Sequence, residues 1–233
     1  MQTDRFSQTQ GRSTTFDAGL RAHMVSVYNR MTVGVLITAI VAWLVSNSPE
    51  LMALFLGGPQ AYVVMLAPLA IVWFGFNPAS MSSQKLKLSF IAVSVLYGIS
   101  FSAIALAYAG TDIARAFFIT SAMFASLSIY GYTTKTDLAP MRKFLFMSVI
   151  GLIIVGLAGI FVEYSSTVQL AISAFSVLIF AGITAWETQN TKRMYNPANG
   201  AEINSRLAWS AALSLYISFV VMFTHILNLM SQR

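Results

Sequence analysis

The run Leu207-Ala208-Trp209-Ser210-Ala211-Ala212-Leu213-Ser214-Leu215-Tyr216-Ile217-Ser218-Phe219-Val220-Val221-Met222-Phe223-Thr224-His225-Ile226-Leu227-Asn228-Leu229 contains no Asp, Glu, Lys or Arg. A stretch of about 17–25 predominantly apolar residues is long enough to cross the hydrocarbon core of a bilayer as a helix. A helix also satisfies its own backbone where no water is available. Outward from this run, six more can be read at 31–48, 60–77, 87–108, 113–132, 143–162 and 166–186. The sequence therefore predicts an all-α integral membrane protein, a seven-transmembrane-helix bundle. With 57% hydrophobic and 9% charged residues in a chain of 233, little is left for soluble mass, so 31–233 is read as one membrane domain.

The cations give the orientation. Of 14 Lys and Arg residues, the N-terminal arm carries Arg5, Arg12, Arg21 and Arg30, and the second connection carries Lys85 and Lys87. Lys135, Arg142 and Lys143 follow at the fourth connection, and Lys192, Arg193 and Arg206 at the sixth; only Arg115 and Arg233 fall on the other side. Basic connections stay in the cytoplasm. A multi-pass protein of the bacterial cytoplasmic (inner) membrane is expected, with its N-terminus cytoplasmic and its C-terminus outside. The net charge of +6 then forms a girdle for an anionic leaflet, which argues for the lipid bilayer as partner and against nucleic acid. The chain has no cysteine, which excludes disulfides and thiolate metal sites. The first thirty residues lack the apolar core of a cleavable signal, so the first span is expected to direct insertion.

Residues 1–15, rich in Ser, Thr and Gln, predict a disordered cytoplasmic tail. Phe16, Leu20, Met24, Val27 and Met31 then recur at helical spacing, which predicts an interfacial amphipathic helix over 16–30. Pro49 and Gly57-Gly58-Pro59 punctuate the first outer connection, and Asn77-Pro78 closes the second span. Small residues let helices approach in lipid. Gly34, Thr38 and Ala42 line up on the first span, Ser94, Gly98 and Ser102 on the third, and Gly156 and Gly159 crowd the fifth. Ser210, Ser214 and Ser218 form a polar stripe on the last span, which fits either helix packing or a central helix lining a wet path.

Ionisable groups inside a membrane are costly and tend to mark pathways. Glu187, in Trp186-Glu187-Thr188-Gln189, is either a pathway carboxylate or a boundary group reaching for the interface. His225 shares a face with Ser218, about 10 Å along a helix at about 1.5 Å per residue, and is either an interfacial histidine or part of the path. Lys135 and Asp137 are expected to pair with each other in their loop. No His-Glu-x-x-His helix, Gly-x-Ser-x-Gly elbow or phosphate loop occurs, so catalytic residues and cofactors are not expected. His23 and His225 fall on opposite membrane sides in this topology and cannot share a metal.

Several segments resemble a known family. They are Tyr130-Gly131-Tyr132-Thr133-Thr134-Lys135-Thr136-Asp137-Leu138, Ala185-Trp186-Glu187-Thr188-Gln189, and Ala212-Leu213-Ser214-Leu215-Tyr216-Ile217-Ser218-Phe219. With Gly19-Leu20-Arg21-Ala22-His23 and Val27-Tyr28-Asn29, they are similar to the bacterial branch of the Bax inhibitor-1 (transmembrane Bax-inhibitor-motif) family. The resemblance implies a last helix at the centre, wrapped by the other six. It also implies a pH-sensitive calcium leak or, in some members, modulation of a membrane-anchored protease. The family's sensor is understood as two facing aspartates that share a proton. Here Glu187 matches the first position and Ser218, which cannot be charged, matches the second. A cation (calcium) leak channel or slow transporter with weakened or altered pH sensing is therefore expected. Glu187 serves as gate and weak metal ligand, and Ser214, Ser218 and His225 line the path. The alternative is a non-conducting regulator that binds a membrane-anchored protease or other membrane partner.

Overall fold

The computed structural model describes the backbone from Gln2 to Ser231 and the side chains from Asp17 onward. These residues form α1 (Gln2–Ser46), α2 (Pro49–Leu56), α3 (Gln60–Phe74), α4 (Ser83–Ala107), α5 (Gly110–Thr133), α6 (Met141–Ala158), α7 (Ser166–Met194) and α8 (Gly200–Ser231), with a 3-10 turn at Pro197–Asn199. Six helices are long and apolar enough to cross a membrane, and α2 with α3, bent by 74°, make a seventh when taken as one broken span. The fold is a helical integral membrane bundle. The break follows from local chemistry. Ser48 caps α2 through the Leu51 amide at 3.4 Å, Pro49 starts the helix, and Gly57-Gly58-Pro59 ends it.

Three expectations about helix boundaries change. The backbone is helical from Gln2, where composition predicts a disordered tail, and it runs without a break through the stretch expected as a separate interfacial helix. No proline interrupts residues 2–46, and the apolar stripe is continuous with the span. Leu20, Met24, Val27 and Met31 are buried, so the stripe packs on protein rather than on headgroups. Phe16 lies outside the described side chains. The sixth span runs on to Met194, about two turns beyond the apolar run, because Glu187-Thr188-Gln189-Asn190-Thr191 is polar but holds nothing that breaks a helix.

The last helix is the core of the bundle. Ala212, Leu215, Tyr216 and Met222 have essentially no exposed surface, and α8 packs chiefly on α1, α4, α5 and α7. The outer layer is less complete than a ring of six: α3 packs on α4, and α6 on α7. Two close approaches set the geometry. A Cβ at Gly98 would come 2.9 Å from the Thr38 carbonyl of α1, and one at Gly34 would come 2.5 Å from the Phe90 ring of α4. The small-residue stripes of the first and third spans thus face each other. A Cβ at Gly131 would sit 2.2 Å from the Ala185 carbonyl, so α5 and α7 touch backbone to backbone. By contrast, nothing lies within 4 Å of a Cβ at Gly156, so that glycine does not crowd a helix seam as expected.

Candidate functional site

Glu187 sits seven residues before the end of α7, about 10 Å into the helix at about 1.5 Å per residue. Lys192 and Arg193 in the last turn mark the bundle's basic face. From this position Glu187 is partly buried and meets the central helix: the Ser218 hydroxyl donates to its carboxylate at 3.0 Å. Ser214, one turn away on the same face of α8, lies near the same carboxyl. Three of the four residues singled out in the sequence therefore meet. They do so because α7 and α8 are antiparallel neighbours whose facing stripes carry the polar groups.

His225 stands apart. Its Nδ1 is 3.2 Å from the Ser173 hydroxyl near the start of α7. Ser173 and Glu187 are fourteen residues apart, about 21 Å along the helix. The two ionisable groups thus mark opposite ends of one α7–α8 seam. Between them the buried side chains include Phe180, Ile183 and Met222, all in the main apolar cluster. The hydroxyls of Ser176 and Thr184 turn back onto carbonyls of their own helix. Among the described residues, no three His, Cys, Asp or Glu side chains come together. A cation at Glu187 would have to draw further oxygens from Ser214 and Ser218, and hard divalent cations prefer more ligands than these.

The basic face is tied down by contacts that charge-counting misses. Asp137 pairs with Arg193 at 2.6 Å, not with Lys135 as expected, because the α5–α6 loop folds against the extension of α7. Buried Gln189 clamps the same loop, accepting from the Leu138 amide at 2.9 Å and donating to the Thr136 carbonyl at 2.8 Å. The Ala139 amide and Arg193 together hold the Asp137 carboxyl below its ordinary range. The loop before α4 is fastened to α8. Glu202 accepts from the Ser83 amide and hydroxyl at 2.8 Å, and Arg206 donates to the Pro78 carbonyl. Arg30 reaches the Ser205 carbonyl at 2.7 Å and lies 4.3 Å from the Trp209 ring centroid. The region after the second span offers no cation to Glu187; α8 secures it instead.

A second buried polar knot joins α1, α4 and α8. Thr38 Oγ1 lies 2.6 Å from the Tyr216 hydroxyl, 2.9 Å from the Ser94 carbonyl and 3.0 Å from the Gly34 carbonyl. Thr38 has one hydroxyl hydrogen, which goes to a carbonyl, so Tyr216 donates to Thr38. The sequence carried a signal for it. A tyrosine in the middle of an apolar span needs a partner, and Thr38 lay on a small-residue stripe.

This fold and this contact define a polytopic helical membrane protein in which a carboxyl near the basic end of α7 meets a hydroxyl in the middle of the central helix. Residues 20–233 match the family model described as inhibitor of apoptosis-promoting Bax1, and the chain belongs to the Bax inhibitor-1 family. It is 36% identical to the uncharacterized protein RP147 of Rickettsia prowazekii over 97% of this chain and 95% of that one. It is 35% identical to an uncharacterized protein of Caulobacter vibrioides, covering 91% and 89%. It is also 34% identical to the inner membrane protein YbhL of Escherichia coli, covering 93% and 94%.

Proposed function

We propose that this protein is a non-enzymatic cation leak pathway or slow transporter, with calcium as the candidate ion, closed by the Glu187–Ser218 contact. The name of the relative YbhL supports an inner-membrane location, and the placement of the cations supports a cytoplasmic basic face. The single observation that carries the reading is the 3.0 Å hydrogen bond from Ser218 to Glu187, which fastens α7 to the central helix. Opening then means parting the α7–α8 seam, since apolar side chains fill it between Glu187 and His225. Because Ser replaces a second carboxylate, acid dependence and selectivity for divalent cations are weaker than in a two-carboxylate gate.

The test is cation flux from proteoliposomes across pH 6 to 8. Wild type is expected to leak with shallow pH dependence, Glu187→Gln to change the rate by about tenfold (about 1.4 kcal/mol), and Ser218→Asp to steepen the pH profile. Identical flux in wild type and Glu187→Gln removes Glu187 as the gate, and a steep wild-type profile removes the weakened sensor. If His225 supplies the pH response at the far end of the seam, His225→Ala flattens the profile.

A second reading rests on α6, where Leu145 is the one buried residue. A helix this peripheral is available to a membrane-anchored protease or other membrane partner of a non-conducting regulator. Absence of flux in wild type, together with a stable complex lost on substituting the outer face of α6, favours that reading.

A further inference from the structure

Between α1 and α5 the bundle opens sideways. Both helices pack on α8, and the gap between them is a cavity of about 680 Å³ that reaches Phe219 of the central helix. Its walls are mainly apolar, with Met31 and Phe124 among them, and a second cavity of about 660 Å³ continues it toward the other face past Val35, Phe117 and Phe219. Among the polar residues that line the cavity, two stand out at the basic end. Arg21, exposed on α1, lines the mouth and has no carboxylate partner among the described residues. Ser128 of α5 is 6% exposed, lines the same cavity, and its hydroxyl has no hydrogen-bond partner.

A buried hydroxyl without a partner costs about 1–3 kcal/mol, and a turn of the enclosed Ser128 side chain toward the groove brings it within reach of a ligand there. The vertical order of these groups constrains that ligand. Thr133, beside the mouth, ends α5, and Ser128 lies five residues deeper, about 7 Å at about 1.5 Å per residue. A cation sits outermost, an unpartnered buried hydroxyl follows roughly one turn down, and the wall below is mainly apolar, with Thr32 and Ser121 as its polar members. A phospholipid carries its phosphate, ester oxygens and acyl chain in that order. A transmembrane helix would answer Arg21 only by carrying an acidic side chain at the same level, whereas every phospholipid brings an anion there together with ester oxygens.

We propose that the α1–α5 groove is a binding site for one phospholipid of the leaflet at the basic face. Arg21 takes the phosphate through its planar fork of donors. Ser128 donates to an ester oxygen, and one acyl chain runs over Phe124 onto Phe219. The lipid thereby forms part of the wall of the central helix, next in sequence to Ser218. This site stands independently of whether the protein conducts.

Native mass spectrometry of the full-length protein in detergent, titrated with phosphatidylglycerol, tests the proposal. Wild type is expected to take up one lipid saturably, and Arg21→Gln to bind it about tenfold more weakly, the loss of about one charge-assisted hydrogen bond. Ala125→Trp fills the groove from an exposed position and should abolish uptake. Ala122→Trp, exposed on the same helix outside the groove, should leave it unchanged. Arg21→Gln is at the surface and carries the test if Ala125→Trp fails to fold. Undiminished uptake in the Arg21→Gln and Ala125→Trp variants overturns the site. Competition by inorganic phosphate alone shows a free-anion site and overturns the lipid. A second polypeptide held across the groove and released by Ala125→Trp, with no saturable lipid, shows a helix seam and overturns it equally.

Discussion

Helices α6 and α8 have nearly the same mean hydropathy, 1.9 and 1.8 over their spans, yet 6% of the first is buried inside the bundle against 67% of the second. Lipid tails are as apolar as leucine, so hydrophobicity puts both helices in the membrane and ranks neither for the centre. What differs is what each offers a neighbouring helix. α8 presents Ala208, Ala211, Ala212 and Ser218, all buried, together with polar groups that find partners on α1 and α7. The outer surface of α6 carries Phe144, Phe146, Met147 and Ile154, all exposed. Position in a membrane bundle follows from close approach and polar pairing, with hydropathy common to both.

Glycine substitutions set this comparison against itself. In a helix interior, Gly→Ala gains up to about 1 kcal/mol from propensity alone. At Gly156 on α6 nothing opposes the new methyl, so Gly156→Ala should leave the melting temperature unchanged or raise it. At Gly131 the methyl would have to push away the Ala185 backbone 2.2 Å distant. Overpacking of this kind costs about 1–3 kcal/mol, more than propensity returns, so Gly131→Ala should lower the melting temperature clearly. Thermal unfolding of both variants in detergent decides. Equal shifts would mean that the α5–α7 seam is no tighter than the lipid-facing surface of α6.

The sequence made this comparison only partly legible. Bilayer thickness fixes span length, so the seven apolar runs could be read directly, but α2 falls in the stretch read as the first outer connection, where Pro49 and Gly57-Gly58-Pro59 signal a turn and bound a short helix. The meeting of Glu187 with Ser218 followed from family motifs and not from spacing. The motifs Tyr130-Gly131-Tyr132 and Ala185-Trp186-Glu187 meet where Gly131 faces Ala185, which no local pattern announces. The fastenings of the basic face were opaque for a different reason. Gln189, Ser205 and the Pro78 carbonyl are uncharged, so pairing cations with nearby acids in sequence gave Lys135–Asp137 instead of Arg193–Asp137. Continuity of α1 was missed because a polar composition was read as disorder where nothing breaks the helix.

The Thr38–Tyr216 knot sharpens the account of why α8 is central, and smaller effects are expected there. Tyr216→Phe removes one donor and leaves Thr38 with its two carbonyls, so it should cost under about 1 kcal/mol. Thr38→Val leaves a buried phenol short of its acceptor and should cost more, about 1–2 kcal/mol, with nearby Ser94 offering partial replacement. A double-mutant cycle in detergent should return a coupling of about 0.6 kcal/mol, the usual size for such bonds in membrane bundles. A coupling of zero would make the knot incidental to the position of α8.

The smallest effect belongs to the Asp137–Arg193 contact, which lies at the surface and outside the spans. Folding holds the Asp137 carboxyl below its ordinary range, first through the Ala139 amide and then through Arg193. The folded protein therefore binds this proton less readily than the unfolded chain does. Its stabilising contribution is complete above the ordinary aspartate range and disappears as pH falls through the lowered folded value. Exposed ion pairs contribute little, so acid should loosen the loop without unfolding the bundle. Hydrogen exchange at the Leu138 and Ala139 amides should accelerate on acidification, beyond the intrinsic pH dependence, more in wild type than in Asp137→Asn. Gln189, which also holds Leu138 and does not titrate, should keep the Leu138 amide the slower of the two. If both amides speed up equally in the two proteins, Gln189 alone carries the loop, and the basic face is held by uncharged contacts of the kind that hold α8.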